Sequence, residues 1–145
     1  MQAFIGWILL TLGGTLYIAQ IISSINFELA QKLSIQENAG QTDPLLQRAE
    51  RYTAYWDLLT LIWLPLAGLL MIINHHWWPI VALIGGAIYL DSSGREAAKN
   101  ISFRHEGFKT GTNKQQKIYF SSYIVMLVIA IFVITYSISH LTSRL

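Results

Sequence analysis

The sequence contains no cysteine and few charged residues. Asp, Glu, Lys and Arg make up 12% of its 145 residues, whereas soluble domains contain about 25%. The lack of cysteine excludes disulfides, iron–sulfur clusters and thiol chemistry. The formal net charge of +2 is too small to indicate a nucleic-acid partner.

The residues that are present are mostly apolar. Hydrophobic side chains account for 53% of the chain, and its mean hydropathy is +0.42. This length and composition are typical of a small, single-domain integral membrane protein. Its first expected partner is therefore the lipid bilayer, and assembly into a homo-oligomer or a larger membrane complex is left open.

Four segments predict transmembrane helices, at residues 4–25, 56–73, 77–97 and 118–138. A helix needs about 20 mostly apolar residues to cross a bilayer. The third apolar run ends at Leu90, so its helix must continue through polar residues to span. The first segment is too long, and its start too uncharged, for a cleavable signal peptide. We expect an all-α bundle of four transmembrane helices over residues 1–145, with cytoplasmic loops at 26–55 and 98–117.

The basic residues predict the orientation of this bundle. Nine of the ten lie between the first and second segments, or between Leu90, where the third apolar run ends, and the fourth segment: Lys32, Arg48, Arg51, Arg95, Lys99, Arg104, Lys109, Lys114 and Lys117. Only Arg144 lies elsewhere. The positive-inside rule then places both charged loops in the cytoplasm and both termini outside. This asymmetry, with the lack of cysteine, favours a bacterial-type inner (plasma) membrane.

The first two helices are predicted to extend into the cytoplasm as a hairpin. No helix breaker follows the first segment before Asn38, and Gly40 is the expected left-handed end of that helix. Asp43 suits the N-cap of the second helix and Pro44 its first position, and Thr112 or Asn113 can cap the fourth helix. Pro65 should kink the second helix within the membrane.

Small residues predict where helices approach each other closely. They are Gly13, Gly14, Gly68, Gly85, Gly86 and Gly94, together with a seam on the third helix formed by Ala82, Gly86, Ser93 and Ala97. Close packing within the bundle and an oligomer interface both use residues of this kind.

Polar residues lie where the second and third helices should approach the cytoplasm. The candidate ligand- or ion-binding residues are Asp57, Asp91, Ser92, Arg95 and Glu96. Asp91 and Arg95 are four residues apart, a spacing that favours an ion pair on a helix. Charged groups at this depth normally face the bundle interior or a wet cavity. The pattern predicts a polar vestibule that is either an ion-pair network locking the helices or a ligand site.

Arg48 and Arg51 are candidate anion contacts at the entrance of the second helix. They lie in "RAERYTAYWDLL", residues 48–59, which resembles the arginine-rich second-helix motif of the membrane-associated eicosanoid and glutathione metabolism proteins. That family has a similar four-helix layout, and the resemblance implies an enzyme acting on an amphipathic substrate. It covers about a dozen residues. The motif's His, Asn and Glu are replaced here by Thr53, Tyr55 and Leu58, which removes the groups that would hold glutathione.

No catalytic or metal-binding constellation is complete, and no cofactor is indicated. His75 and His76 are adjacent without a third ligand nearby, whereas metal sites need convergent ligands. The leading hypothesis is therefore a non-enzymatic accessory or scaffold subunit, or a self-associating bundle. A transporter, channel or small-ligand-binding protein that uses the polar vestibule is the alternative, and a membrane enzyme is the third hypothesis.

Overall fold

A computed structural model describes residues 1–143, which contain helices and no β-strand. The six helices are α1 (Gln2–Ile25), α2 (Phe27–Lys32), α3 (Pro44–Thr60), α4 (Trp63–Ile72), α5 (Trp78–His105) and α6 (Asn113–Thr142). The predicted all-α class is confirmed. Arg144, which entered the orientation argument, lies outside the described residues.

Three helical units are long and apolar enough to cross a membrane. They are Gln2–Ile25, the consecutive helices α3 and α4 over Pro44–Ile72, and Asn113–Thr142. Within their most apolar windows, 22%, 39% and 11% of the residues are buried, so α3–α4 is central and α6 peripheral. Helix α5 has 28 residues, a length of about 42 Å, but its second half is polar. A fourth membrane passage therefore remains a prediction.

Pro65 explains the break between α3 and α4. Proline has no N–H to donate to the carbonyl four residues earlier, and α3 ends just before that residue, Leu61. The hydroxyl of Tyr17 on α1 donates to the free carbonyl of Leu58 beside the break, at 3.1 Å. The kink predicted at Pro65 is thus a break at residues 61–62 between two helices, and the two halves can pack against different neighbours.

The prediction that the first helix runs unbroken to Asn38 was wrong. Helix α1 ends at Ile25 because Asn26 leaves the helical conformation, with φ −139° and ψ 86°. The Asn26 side chain instead accepts a hydrogen bond from the N–H of Leu29, at 2.9 Å, and caps the six-residue helix α2. The chain therefore turns here rather than projecting as one long hairpin arm.

Ser34, not Gly40, provides the left-handed residue that ends this region. Its φ is 58°. The N–H of Ser34 donates to the carbonyl of Gln31, and the N–H of Ile35 donates to that of Ala30, at 3.1 and 2.9 Å. This is the Schellman pattern, which satisfies the last carbonyls of a helix. It directs the following residues back toward the bundle.

The α2–α3 and α5–α6 connections lie at the same end of the molecule, called the inner end below, and are joined to each other. An isolated antiparallel bridge links Thr42 and Thr110. Beside it, the N–H of Gly111 donates to the carbonyl of Gln41, at 3.1 Å. Helix starts on both sides are capped as predicted, by Asp43 for α3 and by Thr112, in a capping box, for α6. Paired backbone therefore closes the end of the molecule where these two connections meet.

At the opposite end of the molecule, called the outer end below, glycines bring the helices close together. A Cβ atom placed on Gly68 of α4 would lie 2.6 Å from the carbonyl oxygen of Gly6 on α1, and one on Gly85 would lie 2.9 Å from the backbone nitrogen of Leu64. Neither Gly14 nor Gly94 has a neighbour within 4 Å of such an atom. Gly68 and Gly85 therefore lie at close helix contacts, whereas Gly14 and Gly94 face open space.

Trp78, at the start of α5, belongs to the core. It is 1% exposed and stacks on Tyr136 of α6 with ring centroids 5.5 Å apart. Its neighbour Trp77 is 53% exposed. The α5–α6 pair is thus anchored at its outer end by a buried aromatic contact.

Gly68→Ala should lower the free energy of unfolding by about 1–3 kcal/mol, because a methyl group must displace packed backbone. Gly14→Ala is the matched control: its methyl group meets open space, and alanine favours a helix over glycine. Denaturant titration in mild detergent measures both. Equal effects of the two substitutions would show that α1 and α4 are not in this close contact.

Candidate functional site: an acid-lined cavity

A cavity of about 310 Å³ lies in the inner half of the molecule, between α1, α3, α5 and α6. Helix α2 and the segment after it form part of its wall. Four carboxyl side chains line it: Glu37, Glu50, Asp57 and Glu96. Of the residues predicted from the sequence, the structure brings Asp57, Ser92 and Glu96 together here. The predicted vestibule between the second and third helices therefore has a counterpart in the structure.

Asp91 and Arg95 form the predicted ion pair, but outside this cavity. Arg95 Nε lies 3.4 Å from Asp91 Oδ2, and the two side chains are 39% and 73% exposed. Helical residues one apart differ by about 100° in direction, so Asp91 faces outward while Ser92 and Glu96 face the cavity. Arg95 lies between the two surfaces, because it pairs with Asp91 and its Nη2 also lies 3.5 Å from the Ser92 hydroxyl. The five candidates thus divide between two surfaces.

Lys99 bridges two of the cavity carboxylates. Its Nζ lies 2.8 Å from Glu50 Oε1 on α3 and 2.5 Å from Glu96 Oε2 on its own helix. Burial disfavours the charge on Lys99, but the carboxylates of Glu50 and Glu96 outweigh it and raise the pKa of the ammonium above its usual value. Lys99 was not among the predicted site residues, although its i, i+3 spacing from Glu96 is a signal for such a pair.

No cation within residues 1–143 forms an ion pair with Asp57. It is 5% exposed, and no hydrogen bond or ion pair reaches either carboxylate oxygen from residues 1–143. Oδ1 is a buried, unpartnered atom, and Glu96 Oε1 and Gln20 Oε1 share that condition at the same cavity. Buried polar groups are nearly always paired in folded proteins, so these unpaired acceptors mark a place where something else can bind.

Glu37 closes the inner end of the cavity from the loop after α2. Its carboxylate accepts a hydrogen bond from Thr42 Oγ1 at 2.6 Å and one from Gln116 Nε2 at 3.3 Å. Burial raises the pKa of Glu37, the Thr42 hydroxyl acts in the opposite direction, and the charge of Glu50 raises it further. A loop carboxyl that pairs with a helix 79 residues later leaves no local sequence pattern, so it was missed.

Gln116 and Asn100 connect this closure to α5 and α6. The amide nitrogen of Gln116 contacts the Thr110 carbonyl and lies 3.4 Å from Asn100 Oδ1. Asn100 Nδ2 in turn donates to the hydroxyl of Tyr123 at 2.9 Å. Both amide residues are less than 5% exposed. A network of neutral amides thus fixes the orientation of Tyr123, one of the aromatic residues lining the cavity.

Arg48 and Arg51, the predicted anion contacts, are exposed on α3 and do not line the cavity. Across residues 1–143, no group of three His, Asp or Glu side chains is arranged to hold a metal ion. The rings of His75 and His76 stack on each other at the outer turn, 4.6 Å apart. The chemistry gathered at the cavity is thus that of carboxylates, amides and phenols.

The chain matches no protein-family model, and it has no significant similarity to a curated protein or to a solved structure. The geometry of the cavity is therefore the basis for a functional proposal.

Lys99→Gln should lower the free energy of unfolding by about 1–3 kcal/mol, because it leaves two partly buried carboxylates without their cation. Arg95→Gln removes the cation of an exposed pair on the same helix and should cost less than about 1 kcal/mol. Thermal and denaturant unfolding in detergent compare the two. An Arg95 variant at least as unstable as the Lys99 variant would contradict this difference.

Proposed function

We propose a four-span inner-membrane protein in which α5 is the third passage and both termini face outward. Three observations support this topology: α5 exceeds the membrane thickness in length, its apolar outer half packs among the other helices, and nine of the ten basic residues lie on one predicted side. The acid-lined cavity then lies in the cytoplasmic half of the membrane.

Single cysteines can test this topology, because the natural chain has none. In intact cells, a membrane-impermeant maleimide should label His76→Cys in the outer turn but not Lys109→Cys in the α5–α6 connection. After permeabilisation both should react. Labelling of Lys109→Cys in intact cells, with His76→Cys protected, would reverse the proposed orientation.

We propose further that the cavity binds a small molecule, so that the protein is a transporter or a ligand-binding protein. The observation that carries this proposal is the unpaired, buried carboxylate of Asp57 beside about 310 Å³ of space. Ionisable residues at membrane depth are costly and usually functional. A structural lock would instead pair Asp57 with a nearby cation, and the cations that could do so are engaged by other carboxylates: Arg95 by Asp91, and Lys99 by Glu50 and Glu96.

The enzyme hypothesis has less support. Arg48 and Arg51, its proposed anion contacts, lie away from the cavity on the exposed surface of α3. Nucleophilic catalysis needs a nucleophile within hydrogen-bond reach of an oriented base, and Ser92, the cavity serine among the predicted residues, receives its hydrogen bond from Arg95. Binding without covalent chemistry fits these contacts better.

Asp57→Asn should leave the stability of the ligand-free protein unchanged or raise it, because the substitution removes an unpaired buried charge. Asp91→Asn, at an exposed position on α5, is the control. The midpoint of thermal unfolding in nanodiscs measures both. A loss for Asp57→Asn comparable to that for Lys99→Gln would show that Asp57 is structural and would contradict the ligand-site proposal.

Self-association is a second candidate function, favoured by the outward face of α5. Its exposed positions alternate by four and three residues: Ile80, Ile84, Ala87, Asp91, Gly94, Ala98 and Ile101. This is the heptad spacing of packed helices, and Gly94 and Ala98 permit close approach. A two-fold-related copy would bring Asp91 of one chain within about one helical turn of Arg95 of the other.

Cysteine cross-linking tests this second candidate. Gly94→Cys should form a disulfide-linked dimer in oxidised native membranes, since that position has open space on the proposed face. Gly14→Cys, equally open but on α1, should remain monomeric. Absence of a Gly94→Cys dimer, or equal cross-linking of both variants, would contradict association through α5.

A further inference from the structure

We infer that the cavity selects an organic cation, an ammonium group attached to a short apolar body. This inference rests on the proposed ligand-binding function and specifies its ligand class. The charge balance is the first argument. Four carboxyl side chains line the cavity, while the buried cation beside them, Lys99, is already bound by Glu50 and Glu96. A ligand carrying positive charge would offset the remaining negative charge, whereas an anion would add to it.

The unpartnered atoms give the second argument. Asp57 Oδ1, Glu96 Oε1 and Gln20 Oε1 are all buried oxygens without a hydrogen bond, and each of these side chains lines the cavity. These three oxygens accept hydrogen bonds and cannot donate, and the Tyr119 hydroxyl, a fourth unpartnered group at the same cavity, can accept as well as donate. The matching ligand group is therefore a donor, and an ammonium supplies donors and charge together.

The aromatic residues give the third argument. Tyr119 and Tyr123 of α6 line the cavity together with Phe27 of α2. The hydrogen bond from Asn100 fixes the Tyr123 hydroxyl. Aromatic faces attract organic cations, most strongly where water is excluded. A cavity with carboxylates and aromatic rings in its wall suits a cation that also has carbon surface.

The size and the apolar wall limit the rest of the ligand. Aliphatic side chains and a thioether form part of that wall, among them Leu16, Leu46, Leu61 and Met126. A volume of about 310 Å³ is near the lower end of ligand pockets. Two of the carboxylates, Glu50 and Glu96, already meet at Lys99, and within residues 1–143 no group of three His, Asp or Glu side chains could hold a metal ion. A small alkyl or aryl ammonium fits this arrangement better than a bare inorganic cation.

Three six-carbon probes test the inference: hexylammonium, hexanol and hexanoate, which differ in the charge of the head group. Calorimetry and thermal unfolding of the full chain in nanodiscs should show saturable binding and stabilisation with hexylammonium alone. Asp57→Asn should weaken that binding at least about tenfold, a change of about 1.4 kcal/mol. Asp91→Asn should bind as the natural sequence does.

Several outcomes would overturn the inference. They are equal or stronger binding of hexanol or hexanoate, an effect of sodium chloride equal to that of hexylammonium, unchanged hexylammonium binding in Asp57→Asn, and no binding of any probe at millimolar concentration. The probe experiments test which class of ligand binds. The separate proposal that a ligand site exists is tested by the stability of the ligand-free Asp57→Asn variant. A stable Asp57→Asn variant combined with hexanoate binding would keep the site and reject the cation.

Discussion

The bridge from Lys99 to Glu50 and Glu96 is the interaction on which the inner half of the molecule depends. Helices α3 and α5 do not pack closely on each other, and the Lys99–Glu50 contact at 2.8 Å joins them across the cavity. Seven residues separate Glu50 from Asp57, or about 10 Å along a helix. The lysine thus pairs with Glu50 and Glu96 and leaves Asp57, further along α3, unpaired.

The interruption at Pro65 accounts for where this space lies. On its outer side, α4 packs against α1 and α5 through Gly68 and Gly85, with no room for a methyl group. On the inner side of the break, α3 packs against α1 but does not pack closely against α5. A straight helix would continue the close packing along its whole length, because the glycine contacts fix the helix separation. The break allows one transmembrane unit to be packed tightly at one end and open at the other.

The sequence predicted the features that depend on local chemistry. Helix starts at Asp43 and Thr112, the interruption near Pro65 and the inward direction of Asp57 all follow from capping, missing donors or helical periodicity. The turn at Asn26 was not predicted, because an asparagine inside an apolar helical pattern is only a weak signal for a break.

The composition of the site itself was only partly predictable. Ser92 and Glu96 were expected beside Asp57 and lie there, but Asp91 and Arg95 were grouped with them although Asp91 faces outward and Arg95 pairs with it. The position of a residue in the sequence predicts its depth in the membrane. It does not show which face of the helix is turned to the cavity unless the neighbouring helices are known. Glu37 and Gln116 become partners only because the inner connections pair with each other, which is a tertiary effect without a local sequence pattern.

An experimental density map of the cavity in a lipid environment tests the central claim most directly. The account predicts ordered density for a ligand, water or cation beside the Asp57 carboxylate, with Lys99 held between Glu50 and Glu96 and Arg95 paired with Asp91. A map in which Asp57 contacts Arg95 or Lys99 directly, with no space between the helices, would contradict it. That result would identify the charges as a structural lock.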